Sequence, residues 1–325
     1  HVDDFLATAD KGSEDLPFVQ HLTNAFGKPS GGENPTTFTG INIRRNDNGT
    51  ITLNQPGYIN QIVTKFIPER RGEFTPAHMN FMIRKNTEPA DLPLYRQIVG
   101  SLIHATKTRK EILFYVSCLS KAMHAPMKHD MENALRLLQY LKATPNRGIT
   151  FQPFDLSKPI QLYAHVDASL GTHIESGKSH LGYYITIGSP DNGAIIAKSS
   201  TIDPICFSSA EAELLAMTPL VLDLQYLSGF LEELGFQVNR PHIIYSDSQA
   251  AGHMIEKTAL KRKTRHIAIK YRAINICHAR KEIIVNFIPG IENPADLFTK
   301  ALFGHKWKYI AHKFMHDPLE SDYML

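Results

Sequence analysis

At 325 residues the chain is too long for one small module and fits about two domains. With 42% hydrophobic and 21% charged residues it can bury a sizeable core, which excludes global disorder. The net charge of +3 conceals an uneven pattern: residues 1–150 sum to +4, residues 151–256 to −8 and residues 282–325 to −2, while residues 257–281 carry nine basic and no acidic side chains. An acidic block beside a concentrated basic segment points to nucleic acid with metal ions; a solvated helix face is the plainer alternative. Cys118, Cys206 and Cys277 are far apart and odd in number, with no zinc spacing and no disulfide framework, which favours a reducing compartment. No apolar run approaches the roughly 18 residues of a membrane span, and no signal peptide opens the chain. A chain that opens on His1 reads as a piece of a longer protein.

Residues 12–26 read as an amphipathic helix, with Leu16, Val19, Leu22 and Phe26 at helical spacing. Residues 37–54 read as a hairpin turning at Asn46-Asp47-Asn48-Gly49. A short helix follows Pro56, using Ile59, Ile62, Val63 and Phe66, and residues 67–92 read as an irregular linker. Residues 93–143 read as three helices, stopped by Thr144-Pro145-Asn146-Arg147-Gly148. Strands are expected at 160–167, 181–188, 193–199, 241–247 and 283–288. Helices are expected at 208–234, with Pro219 kinking or interrupting it, after Asp247, at 265–281, and from Asp296. Several strands followed by strand–helix alternation predict an α/β chain with a mixed sheet and flanking helices.

Four acids stand in particular contexts. Asp167 ends the strand Tyr163-Ala164-His165-Val166, and Asp247 ends Ile243-Ile244-Tyr245-Ser246. Glu213 lies in Ser208-Ser209-Ala210-Glu211-Ala212-Glu213-Leu214, and Asp296 in Asn293-Pro294-Ala295-Asp296-Leu297-Phe298. Each has small or apolar neighbours rather than a charge run. Converging carboxylates at strand ends repel one another, so a divalent cation is their natural compensation, and an oxygen-only donor set suits Mg²⁺ or Mn²⁺. Taken singly, each acid reads as a surface group or a helix cap; the four together do not.

Residues 160–300 resemble a ribonuclease H domain, specifically that of copia-type LTR retrotransposon Pol polyproteins. The resemblance rests on Val166-Asp167-Ala168-Ser169, Gly182-Tyr183, Ser208-Ser209-Ala210-Glu211-Ala212-Glu213, Tyr245-Ser246-Asp247-Ser248-Gln249-Ala250, Thr264-Arg265-His266-Ile267 and Ala295-Asp296-Leu297-Phe298-Thr299-Lys300. Upstream, Val2-Asp3-Asp4 resembles a reverse-transcriptase palm motif, and Leu94-Tyr95-Arg96-Gln97-Ile98-Val99-Gly100-Ser101-Leu102 resembles the lead into the connection helices. The resemblance implies a truncated palm/thumb over 1–90, a helical connection over 91–150, a ribonuclease H-like domain over 151–302 and a C-terminal tail over 303–325. It implies a hydrolase with two Mg²⁺ ions (Mn²⁺ as substitute) held by Asp167, Glu213, Asp247 and Asp296. Asp167 would bridge the metals, Glu213 and Asp247 would hold the leaving-group side, and Asp296 the water side. Glu211 rivals Glu213; Glu213 is preferred because the family's glutamate precedes the first large apolar residue of its helix, here Leu214. His165 stands where many relatives have another acid, and no histidine shortly precedes Asp296 in Pro289-Gly290-Ile291-Glu292.

The expected activity is endonucleolytic cleavage of the RNA strand of an RNA/DNA hybrid. Lys261, Arg262, Lys263 and Arg265 are the expected phosphate contacts. His266 is a candidate for product release, or a packing residue. The implied partners are the hybrid and the missing upstream reverse-transcriptase segment or other Pol products, with no membrane. The implied location is intracellular, in cytoplasmic virus-like particles or the nucleus. Asp3 and Asp4 would be palm carboxylates, but their partners lie upstream and His1 replaces the usual Tyr, so this chain alone is not expected to polymerise DNA. Two alternatives stand beside the nuclease. One is a decayed or domesticated fragment that binds nucleic acid without cutting. The other is an interaction module docking through 93–143.

Overall fold

The computed structural model describes residues 6, 17–27, 35–83, 88–256 and 268–315. Asp3, Asp4, Lys261, Arg262, Lys263, Arg265 and His266 lie outside them. The first helix, α1 (Pro17–Phe26), buries none of its residues; Val19 and Leu22 are only half-buried.

The expected hairpin seeds a four-stranded antiparallel sheet: β1 (Thr37–Phe38), β2 (Ile41–Arg45), β3 (Ile51–Asn54) and β4 (Gly148–Phe151). Its turn closes through the Asn46 N–H to the Thr50 carbonyl at 2.9 Å, and Gly49 supplies the required positive φ of 79°. β4 spans the boundary expected at residue 150 and pairs with β3, Leu53 opposite Ile149. Helix α2 (Pro56–Phe66) starts on Pro56 and buries Ile59, Ile62 and Val63. Three further helices follow: α3 (Leu92–Ala105), α4 (Leu113–Lys121) and α5 (Lys128–Ala143). Asp91 caps α3 by accepting the Leu94 N–H at 2.9 Å.

The second sheet contains β5 (Leu162–His173), β6 (Lys178–Ile187), β7 (Ile196–Thr201), β8 (His242–Ser246) and β9 (Ile283–Phe287), in the spatial order β7-β6-β5-β8-β9. β5, β6 and β7 are antiparallel, whereas β8 and β9 join β5 in parallel, giving the expected mixed sheet. One face is covered by α6 (Ser209–Glu233) with α7 (Gln249–Glu256) and α8 (Ala268–Ala279), around Val166, Tyr183, Leu214, Leu224 and Ile274. Pro219 does not interrupt α6, which runs unbroken. Leu214, Leu215 and Met217 before it and Leu220, Val221 and Leu224 after it are buried, and that packing offsets the lost backbone bond. Contrary to the absence of membrane-length runs expected above, α6 is long and apolar enough to cross a membrane by length and composition. It packs on the sheet as a core helix, with Glu211 and Glu213 in its first turns.

The opposite face shares one core with the helices of the N-terminal half. Ile98, Leu102, Tyr115, Leu138 and Leu141 meet Tyr184, Phe298 and Trp307 there. The expected tail is therefore corrected over 304–315, which form α9 (Gly304–Met315). Trp307, Ile310, Ala311, Phe314 and Met315 recur at helical spacing and are buried. Trp307 packs edge-on against Tyr115 and Tyr140.

This shared core encloses an ion pair. Arg109 and Glu111 are wholly buried and 2.7 Å apart. Arg109 also donates to the carbonyl and hydroxyl oxygens of Thr144, each at 2.7 Å, and the Tyr140 hydroxyl donates to Glu111 at 3.0 Å. Removing one partner strands the other charge. Arg109→Met should destabilise the protein by about 3–5 kcal/mol, and adding Glu111→Leu should recover most of that loss. Urea unfolding read by the fluorescence of Trp307, the sole tryptophan, measures both.

Candidate active site

β5 is the organising strand. Its Asp167 is opposite Gly182 of β6, and its parallel register with β8 pairs Val166 with Ser246, which brings Asp247 level with Asp167. Ser246 and Ser248 shape the turn that follows: the Ser246 hydroxyl accepts from the Ser248 N–H at 3.2 Å, and Ser248 accepts from Ala251 at 3.2 Å. Glu213 comes from α6. Ser208 caps that helix by accepting the Glu211 N–H at 3.2 Å, and Glu211 turns back to accept the Phe207 N–H at 2.9 Å. Glu211 thus serves the helix start. Glu213 points to β5, where its Oε1 accepts the Ala168 N–H at 3.1 Å.

One carboxylate oxygen each from Asp167, Glu213 and Asp247 lies within 4.8 Å of the others. Asp167 and Glu213 are buried, while Asp247 is partly exposed. Asp296 joins by another route. Asn293 donates to the Val166 carbonyl at 3.0 Å and accepts from Ala295 at 3.1 Å, pinning the 3-10 turn Pro294–Phe298 against β5. That approach requires glycine at 182, because a Cβ there would meet Phe298 Cβ at 2.4 Å and Thr299 Cγ2 at 2.8 Å. The turn brings the Thr299 hydroxyl to donate to Asp167, and the Lys300 ammonium to Asp296 and, at 3.2 Å, to Asp167. Lys306 of α9 also pairs with Asp296. Lys300 and Lys306 are the charged partners that reading the acids alone missed. Lys300 carried a signal, standing four residues after Asp296 in the motif itself.

Burial pushes the Asp167 carboxyl up to about 6, with Asp296 and Asp247 adding to the shift and Lys300 and Thr299 opposing it. Burial together with Asp167 and Asp247 pushes Glu213 up to about 9. Burial works against the Lys300 charge, but Asp167 and Asp296 more than offset it and hold the ammonium above the usual lysine range. Glu213 Oε2 is buried and has no hydrogen-bond partner among the described residues. An orphaned carboxylate oxygen beside two further acids fits a hard divalent cation, so Asp167, Glu213 and Asp247 form an acidic cluster that could hold one.

His165 does not enter this cluster. Its ring stacks between Tyr184 and Tyr245, each centroid 4.8 Å away, as the middle of a packed layer.

The raised carboxyls set a pH dependence for the metal-free protein. Between about 4.5 and about 9, folded Glu213 keeps a proton that the unfolded chain releases. Stability therefore falls as pH rises through that window. Glu213→Gln removes the Glu213 share of the effect, so its gain in thermal stability should be near zero at pH 4 and grow steadily as pH rises towards 9. Thermal unfolding in EDTA across that range measures it.

No family model matches the chain. Over 277 residues it is 28% identical to the retrovirus-related Pol polyprotein from transposon TNT 1-94 of Nicotiana tabacum, covering 82% of this chain and 20% of that one. Over 320 residues it is 28% identical to the retrovirus-related Pol polyprotein from transposon RE1 of Arabidopsis thaliana, covering 96% and 21%. The chain thus spans about a fifth of the length of these curated relatives. Among solved structures, the ribonuclease H1 LC11, isolated from compost by a metagenomic approach, is 16% identical over 43% of this chain and 92% of that one, with a TM-score of 0.33. The homologues of this chain are retrovirus-related Pol polyproteins of transposons, consistent with the copia-type resemblance of its motifs.

Proposed function

We propose that the chain is a metal-dependent endonuclease that cleaves the RNA strand of RNA/DNA hybrids, as the ribonuclease H part of a copia-type Pol protein. The observations that carry this reading are the convergence of Asp167, Glu213 and Asp247 and the buried Glu213 Oε2, which has no hydrogen-bond partner among the described residues. Asp167, Glu213, Asp247 and Asp296 would hold two Mg²⁺ ions. When bound, such ions supply a nucleophilic water at neutral pH and stabilise the leaving oxygen of an in-line displacement at phosphorus. The chain's own groups prepare the site. Glu213 is fixed by the Ala168 N–H, and Asp167 by Thr299. Lys300 tempers the repulsion between Asp167 and Asp296. A hybrid duplex would be held through its phosphates by the basic segment 257–281 and read by groove shape and 2′-hydroxyls. Polymerisation is not proposed for this chain alone.

A second reading, nucleic-acid binding without cleavage, draws on Lys300, whose ammonium stands between Asp167 and Asp296 where a cation would serve. Hydrolysis of a labelled RNA/DNA hybrid separates the two. Mg²⁺-dependent cleavage is expected, and Asp247→Asn should lower it by roughly 100-fold or more, since outer partners of a metal site alone are worth about 10–100-fold. Hybrid binding without cleavage by the parent chain overturns the nuclease in favour of the second reading, and equal cleavage by Asp247→Asn overturns the assignment of cleavage to this carboxylate cluster.

A further inference from the structure

A second cluster of metal-ligating side chains lies at the far end of β5, where the β5–β6 hairpin meets α4. Cys118 of α4, His173 at the end of β5 and His180 of β6 each offer one ligand atom within 4.8 Å of the others. Their separation in sequence hides them from any spacing rule. None belongs to the carboxylate cluster.

The hydrogen bonds fix how the rings face each other. The Ser199 hydroxyl donates its only hydrogen to the Phe298 carbonyl at 2.7 Å. It must therefore accept from His180 Nε2, which is 2.8 Å away. That assignment leaves a lone pair on His180 Nδ1. His173 Nε2 stands 2.9 Å from this lone pair and 2.6 Å from the Lys121 ammonium, which has no lone pair of its own. If His173 Nε2 accepts from Lys121, two imidazole lone pairs face each other at 2.9 Å. If it carries hydrogen, it donates to His180 Nδ1 at 2.9 Å, and the Lys121 ammonium beside it loses that lone pair. In the first arrangement a cation shared by the rings and the Cys118 sulfur relieves the facing lone pairs; in the second an ion would take the place of the hydrogen between the rings, with Lys121 next to it.

We propose that Cys118, His173 and His180 form a metal site for Zn²⁺ or a similar borderline divalent ion, clamping the β5–β6 hairpin to α4. One sulfur and two imidazole nitrogens are the donor set that selects such ions over Mg²⁺. A tetrahedral site with ordinary zinc–sulfur and zinc–nitrogen lengths spaces its donors by roughly 3.3–3.8 Å, so side-chain adjustments on the order of 1 Å complete it. Burial keeps both rings neutral, pushing His173 down to about 4 and His180 down to about 2. Burial also pushes the Cys118 thiol up to about 12, so the ion displaces a proton from sulfur on binding. Three protein donors leave the fourth position to a ligand from the adjoining cavity of about 510 Å³, which Glu175, Thr201 and Asp203 help to line. Lys121 is the competitor: it gives way when the ion enters.

Co²⁺ titration of the full chain, with Zn²⁺ competition, tests the site. Expected are the visible bands of a tetrahedral ion together with a near-ultraviolet thiolate-to-cobalt band, saturating at one equivalent. Cys118→Ser should abolish the thiolate band. His173→Gln, at a half-buried strand end, should weaken Zn²⁺ about 10-fold or more. Lys121→Ala should tighten it several-fold. Asp247→Asn should leave the signal unchanged, which separates this site from the proposed nuclease centre. No thiolate band in the parent chain, an unchanged spectrum in Cys118→Ser, weaker binding in Lys121→Ala or loss of the signal in Asp247→Asn each overturns the proposal.

Discussion

The close approach of residues 298–299 to Gly182 holds the molecule together. A strand with any side chain at 182 would push the 293–300 turn away from β5 and β6. That turn brings Thr299 and Lys300 to Asp167, and it sets Phe298 against Tyr184 and Phe314 in the shared core. Phe298 also accepts the Ser199 hydroxyl through its carbonyl, reaching towards the histidine pair. One backbone contact therefore couples the carboxylate cluster, the core beneath the N-terminal helices and the orientation of His180.

Charge compensation in the carboxylate cluster is uneven, and the unevenness follows from position. Asp296 has two ammonium partners and Asp167 has one. Glu213 approaches from the helix side, beyond the reach of either lysine's direct contact, and among the described residues has only the Ala168 N–H. Its remaining oxygen can be stabilised by a proton or by a cation. The strong upward shift of Glu213 is the protonated solution to that constraint, and a divalent ion is the alternative.

Much of this was legible in the sequence because it is local. Asn48-Gly49 marks a hairpin, Pro56 marks a helix start, and Asp167 and Asp247 stand out because acids at the ends of apolar strands need compensation. The choice of Glu213 over Glu211 followed family analogy; the structure adds a physical reason, since Glu211 is spent on the helix start. What was illegible depends on distant packing. The buried face of α9 looked like a tail because its partners, Tyr115 and Tyr140, are more than 150 residues away in the chain. Pro219 predicted a break that the packing around it overrode. Cys118 carried no signal of its own until the hairpin placed two imidazoles beside it.

β5 carries Asp167 within the sheet and His173 at its end, six residues apart across a stretch where the register with β6 shifts. The first belongs to a set of oxygen donors, the second to a set of sulfur and nitrogen donors. Ligand softness sorts ions between such sets more surely than affinity does, because zinc outbinds magnesium at almost any site of mixed donors. Two clusters of opposite softness on one strand can therefore be loaded independently. On the proposed assignments, the carboxylates would keep an exchangeable hard ion, while the sulfur and imidazoles would draw the borderline ion that otherwise competes for the carboxylates. Placing the softer set at the seam between hairpin and helix also puts its binding energy where the sheet meets the N-terminal helices, away from the groups that would touch substrate.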